Sequence, residues 1–215
     1  MCTVAPLHRS PAIDQTEPMK AVLGLFVSFW VLIFVTGAAN PGYVHYREHV
    51  SLLAADGNRL IWLTTLAILL TAIAQWVAAR MFWPVNRPAA ILLVLAGCSL
   101  VLVAAFRVPC PPRARHCPFL VEDTPGEAIH NAGVIGYAVL TMTTMAILGV
   151  VAVTQGRHSL VGVPGLVACA IFALTFSGLL VFPEGLAQRT WIAVGQVWLV
   201  AAVFEAQEHR ERVAP

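Results

Sequence analysis

The chain has 215 residues, 59% of them hydrophobic and 11% charged, with a formal net charge of +2 and a mean hydropathy of +0.78. A soluble domain of this size could not solvate so much apolar surface, and a balance this close to neutral leaves no footprint for nucleic acid. Composition therefore predicts a polytopic membrane protein, with membrane lipids as its surroundings and no nucleic-acid partner.

Residues 1–18 are polar and proline-rich and read as a flexible tail; Cys2 follows no apolar signal region, so it is not a lipoprotein cysteine. A membrane-crossing helix needs about 20 mostly apolar residues, because it rises about 1.5 Å per residue through about 30 Å of hydrocarbon. Six segments meet that test: Ala21 to Ala39, Leu60 to Ala79, Ala89 to Phe106, Ala128 to Val153, Leu160 to Phe182 and Thr190 to Phe204. The first is too long, and too free of a small-residue cleavage site, for a removable signal peptide. Continuous apolar runs rather than alternation predict helices, which satisfy their own backbone groups in lipid. The expected fold is an all-α membrane bundle of six transmembrane helices over residues 19–206, closed by a tail at 207–215. Gly133, Gly136, Gly149 and Gly178 permit close helix approach.

The first long connection runs Asn40-Pro41-Gly42-Tyr43-Val44-His45-Tyr46-Arg47-Glu48-His49-Val50-Ser51-Leu52-Leu53 and turns through Asp56-Gly57-Asn58. Tyr43, Tyr46, Val50 and Leu53 fall along one helical stripe, which predicts a short interfacial helix with its aromatic side toward lipid or bundle. His45 and His49, four residues apart, then share a face. The second long connection holds Cys110 and Cys117, which could close a disulfide in an oxidising compartment. It also holds His116, Glu122 and Asp123. The fourth helix opens on Thr124, Pro125 and Glu127, a capping box with proline where its missing N–H costs nothing. Glu127 and His130 lie near the membrane surface on one face of that opening.

An even number of crossings places both termini on one side. Arg9, Lys20, Arg80, Arg87, Arg157, Arg210 and Arg212 lie there, against Arg47, Arg59, Arg107, Arg113, Arg115 and Arg189 opposite, which is a weak positive-inside bias. The cysteine loop adds to it. The expected location is the cell membrane, multi-pass, with both termini cytoplasmic and the long loops outside.

The chemistry-bearing side chains thus gather at the outer face. A water-activating zinc site needs three N, O or S ligands, which His45, His49 and His130 or Glu127 could supply. No recognisable zinc spacing supports that set. His130 could act as a general base with Glu127 beside it, or serve as a structural hydrogen-bonding residue. Within the spans, Gln75, Ser177 and Gln196 are the main polar residues, too few for ion-coupled transport.

The order of the outer features resembles a bacterial and archaeal family of six-helix membrane proteins, domain of unknown function nine-nine-eight. The likeness lies in Tyr43 to Gly57, in Phe106 through the cysteine loop to His130, and in Phe182-Pro183-Glu184-Gly185-Leu186-Ala187-Gln188-Arg189 with Trp198 beyond. The exit Phe106-Arg107-Val108-Pro109-Cys110 lacks the acidic residue of the family pattern, so no role resting on that carboxylate carries over. The resemblance implies a fold and singles out Ser51, His130, Gln188 and Arg189, but implies no activity. Arg189 has its own case, since a guanidinium at this position can fork onto a carboxylate or a lipid phosphate, or simply pair with Glu184.

The functional expectation is an outward-facing polar pocket of Ser51, Glu184, Gln188 and Arg189 that binds a lipid headgroup or small ligand. The alternatives are a metal-dependent hydrolase or transferase using His130 and Glu127, and a transporter of an apolar compound. A bundle of this size could act alone or as a homo-oligomer.

Overall fold

The computed structural model describes residues 17–55, 57–107, 124–156, 159–180 and 182–213, with side chains through Glu208. Among these residues six α-helices follow in order: α1 (Glu17–Ala39), α2 (Ile61–Phe82), α3 (Arg87–Ala105), α4 (Pro125–Thr154), α5 (Val163–Phe176) and α6 (Glu184–Val213), with a 3-10 helix at Val50–Ala54 between α1 and α2. Among the described residues there is no strand. Five helices among the described residues are long and apolar enough to cross a membrane, as an integral membrane protein requires.

The helices are apolar on both faces, and burial separates them. On α1, Val22, Phe26, Phe29, Ile33 and Gly37 form one buried stripe at helical spacing, while Val27, Val31 and Phe34 face outward. Val197 is 71% exposed and Trp62 61%, an exterior suited to lipid rather than water. The most extensive packing joins α2 with α3, α3 with α4, and α1 with α2. Small residues set these distances: a Cβ on Gly133 of α4 would stand 2.9 Å from the Ser99 carbonyl of α3.

Helix starts follow sequence chemistry. The Asn86 side chain accepts from the Ala89 N–H at 3.0 Å, and Thr124 Oγ1 accepts from the Glu127 N–H at 3.2 Å ahead of α4, with proline in each first turn.

Two expectations need correction. The fifth apolar segment, expected as a helix from Leu160 to Phe182, forms only the 14 residues of α5. Pro164 sets its first turn, and Gly178, at φ +73°, takes the chain out of the helix after Ser177. At about 1.5 Å per residue α5 covers roughly 21 Å, short of the hydrocarbon thickness. The segment still joins the two ends of the bundle. Before α5 the Val161 N–H meets Glu205, late in α6, whereas α6 begins with Leu186 N–H bonded to the Tyr46 carbonyl of the first loop. Consequently α1 begins and α6 ends at the same end of the bundle.

The second correction concerns the first loop. Instead of an amphipathic surface helix it makes tight turns, with Arg47 and Glu48 N–H both bonded to the Val44 carbonyl, and then the 3-10 helix. The Glu48 carboxylate accepts from the Val44 N–H at 2.7 Å, closing the turn on itself before a helix can propagate. Val50, Ser51, Leu53 and Ala54 are buried against the bundle, so the segment plugs its end instead of floating on its surface.

Candidate functional site

The start of α6 and the first loop are built as one unit. Gly185 N–H bonds the Arg47 carbonyl at 3.2 Å and Leu186 N–H the Tyr46 carbonyl at 3.0 Å, which uses helix-start donors that have no partner within α6. Only glycine permits the approach, because a Cβ at position 185 would lie 2.4 Å from the Glu48 carbonyl oxygen. One turn on, Gln188 Oε1 accepts from the Val50 N–H.

Arg189 is the centre of this unit and is 8% exposed. Its Nη1 donates to the Glu48 and Gly185 carbonyls at 2.8 and 2.9 Å, and its Nη2 to the Tyr43 hydroxyl, with His45 Nδ1 at 3.4 Å. The guanidinium also lies over the Tyr43 ring, 5.7 Å from its centroid. Its partners are neutral acceptors on loop and helix, so its fork is spent on holding the loop. Nε alone is buried with no partner among the described residues. The alternative pairing with Glu184 is not made; that carboxylate lies 3.3 Å from His49 Nε2 instead.

The electrostatics follow from burial. The Tyr43 hydroxyl is pushed up to about 12, burial outweighing the pull of Arg189. His45 is held below its ordinary value by burial and then by Arg189, and its Nδ1 can receive a guanidinium proton only as neutral imidazole. His49 is also lowered, burial outweighing the Glu184 carboxylate.

His45 and His49 do not share a face, because the helical register that would align them is absent. His45 stacks on the end of α1, with its ring where a Gly37 Cβ would be and 5.3 Å from the Phe34 ring. His49 turns toward α6. His130 belongs elsewhere: it is 1% exposed, and its Nδ1 meets the Phe106 carbonyl at 2.7 Å, tying the end of α3 to the start of α4. Its Nε2 has no partner among the described residues, and Glu127 is buried one turn before it. Among the described residues no group of three His, Cys, Asp or Glu could hold a metal, so the expected zinc set of His45, His49 and His130 is not assembled. Cys110 and Cys117 lie outside the described residues; Cys98 and Cys169 are free thiols.

Ser51 and Gln188 do come together. They border a cavity of about 50 Å³ inside the bundle, otherwise mostly apolar, with Phe29, Leu100, Val134 and Trp191 in its walls and Tyr137 and Thr71 among its polar neighbours.

Across the chain, the family model for a protein of unknown function, DUF998, matches residues 22–205. The chain belongs to the DUF998 family. The matched region takes in the first loop, the cavity and the start of α6, so the loop-to-helix unit lies wholly inside the DUF998 domain. No curated protein and no solved structure matches this DUF998 chain.

Several residues of the unit escaped sequence reading. Tyr43 was visible only as part of an aromatic stripe, and Gly185 only as one glycine in a motif. Asn40 ties the loop ends: its Nδ2 donates to the Thr36 and Arg59 carbonyls at 2.8 and 2.9 Å, and its Oδ1 accepts from the Arg59 N–H at 2.7 Å. Its place at the end of an apolar run, just before proline, was the available signal.

Proposed function

We propose that this integral membrane protein binds a lipid headgroup or small amphiphilic ligand at the outer end of its bundle, with the first loop as cover. The carrying observation is the cavity beneath that loop, bordered by Ser51 and Gln188. At about 50 Å³ it has room for a few water molecules, at roughly 10–15 Å³ each, or for a short apolar tip. The polar part of the ligand meets the rim, where Glu184 is exposed beside His49. Arg189 acts in this reading as the clasp that positions Gln188 and the loop. In this arrangement both termini are cytoplasmic and the loop end faces outward.

The test is native mass spectrometry of the full-length protein extracted with its own lipids. Wild type should retain one lipid or small molecule, and Val134→Phe, which fills the cavity, should lose it while keeping its thermal stability. Equal retention by both proteins refutes the reading. Thiol labelling of Cys110 and Cys117 on intact cells after reduction reports orientation; labelling only after lysis reverses it.

A further inference from the structure

A second space lies at the other end, where α1 begins and α6 ends. A cleft of about 610 Å³ opens between the α2–α3 turn, the last turns of α4, the entry to α5 and the far part of α6. That volume falls within the range of small-molecule sites, about 300–1,000 Å³. Its cause is legible in the chain. α4 and α6, of 30 residues each, meet little, and the positions that could close the gap are alanines: Ala152 on α4, and Ala202 and Ala206 one turn apart on α6.

The lining has two characters. Phe82, Val85, Leu148 and Val151 supply apolar walls, while Asn86, Gln155, Glu205 and Glu208 supply polar groups. Glu205 and Glu208 are three apart on α6 and so share a face. One oxygen of Glu205 accepts the Val161 N–H at 3.1 Å. Arg80 and Arg87, at the same end, are exposed and do not line it. A carboxylate-bearing space with apolar walls complements an apolar body carrying a positive nitrogen.

We propose that this cleft is a second binding site, for an amphiphile bearing an ammonium group. The same chemistry is offered by a free lipophilic amine and by the headgroup of phosphatidylethanolamine.

The experiment uses full-length protein in maltoside micelles and radiolabelled dodecylamine, with dodecanol as the neutral control of equal tail. Wild type should bind the amine saturably and at least tenfold more tightly than the alcohol. Glu205→Gln keeps an oxygen for the Val161 N–H but removes the charge, and Val85→Arg places a cation on an already exposed wall position; each should weaken amine binding at least tenfold. Displacement by short-chain phosphatidylethanolamine, but not phosphatidylglycerol, assigns the site to the lipid; displacement by neither assigns it to free amines. Equal affinity for amine and alcohol, or wild-type affinity in both variants, overturns the proposal. Retention of ligand by Val134→Phe at the outer cavity is read separately, so either site can fail alone.

Discussion

Nη2 of Arg189 donates to the Tyr43 hydroxyl, which itself faces the Glu48 and His49 carbonyls at 3.3 and 3.1 Å. A buried cation is here held by backbone oxygens and a phenol rather than by a carboxylate. Its worth is geometric, because a planar fork reaches separated acceptors from two terminal nitrogens, whereas an ammonium offers its three donors from a single atom.

Arg189→Lys should therefore destabilise the protein by roughly 3 kcal/mol, since hydrogen bonds from charged donors are worth about 1.5–3 kcal/mol each. Tyr43→Phe should cost about 1–2 kcal/mol. Thermal unfolding in detergent of both single variants and the double variant should show coupling of about 0.5–3 kcal/mol. Additive losses would show that the two side chains act independently.

The loop should weaken in mild acid. His49 and His45 both have folded values below their ordinary 6.5, so near and below that pH the unfolded chain binds more protons than the folded one. Stability is then full above pH 6.5 and falls as the pH drops below it. Glu184, Gln188 and Arg189 face His49; Glu184 and, to a smaller extent, Gln188 offset the loss, while Arg189 adds to it. Unfolding temperature at pH 7.5 minus that at pH 5.5 should shrink in a His45→Gln, His49→Gln variant. An unchanged difference would place the acid sensitivity elsewhere. Tyr43, at about 12, stays protonated throughout this range.

Two glycines should respond differently to alanine. At Gly185 the new methyl meets backbone, with the Glu48 carbonyl oxygen at 2.4 Å and its nitrogen at 2.6 Å, so the loop must move. At Gly37 it meets only the His45 ring, which can rotate away. Gly185→Ala should cost about 1–3 kcal/mol and open the loop to protease, whereas Gly37→Ala should leave cleavage near wild type. Equal protease sensitivity would contradict the packing described.

Asn40→Ala removes three hydrogen bonds, two to Arg59 just before α2 and one back to Thr36 of α1. At about 1 kcal/mol each the loss should be roughly 2–3 kcal/mol, with hydrogen exchange accelerated around Arg59. Asn40→Asp should recover only the bond from the Arg59 N–H, because a carboxylate cannot donate to the two carbonyls.

The apolar segments were legible because length and hydropathy are local properties, and so were the caps at Asn86 and Thr124, since each acts within one turn. The shortening of α5 was half visible in Pro164 and Gly178 but hidden by the apolar residues beyond. The first loop was misread for a different reason. Its stripe of Tyr43, Tyr46, Val50 and Leu53 fits a helix, yet Glu48 binds the Val44 N–H and Arg189, 141 residues after Glu48, collects its carbonyl.

By itself the sequence determined that this chain must bury its backbone in helices within lipid, because so little charge and so much apolar surface leave no other solvent for it. It also marked Ser51, Gln188 and Arg189. Only tertiary structure decided their tasks: Arg189 is consumed in clasping the loop, Ser51 and Gln188 border the cavity, and His130 serves the α3–α4 junction. The reason is that a hydrogen-bonding side chain takes whichever acceptors packing brings within about 3 Å, and those acceptors are mostly backbone carbonyls that no side-chain pattern announces.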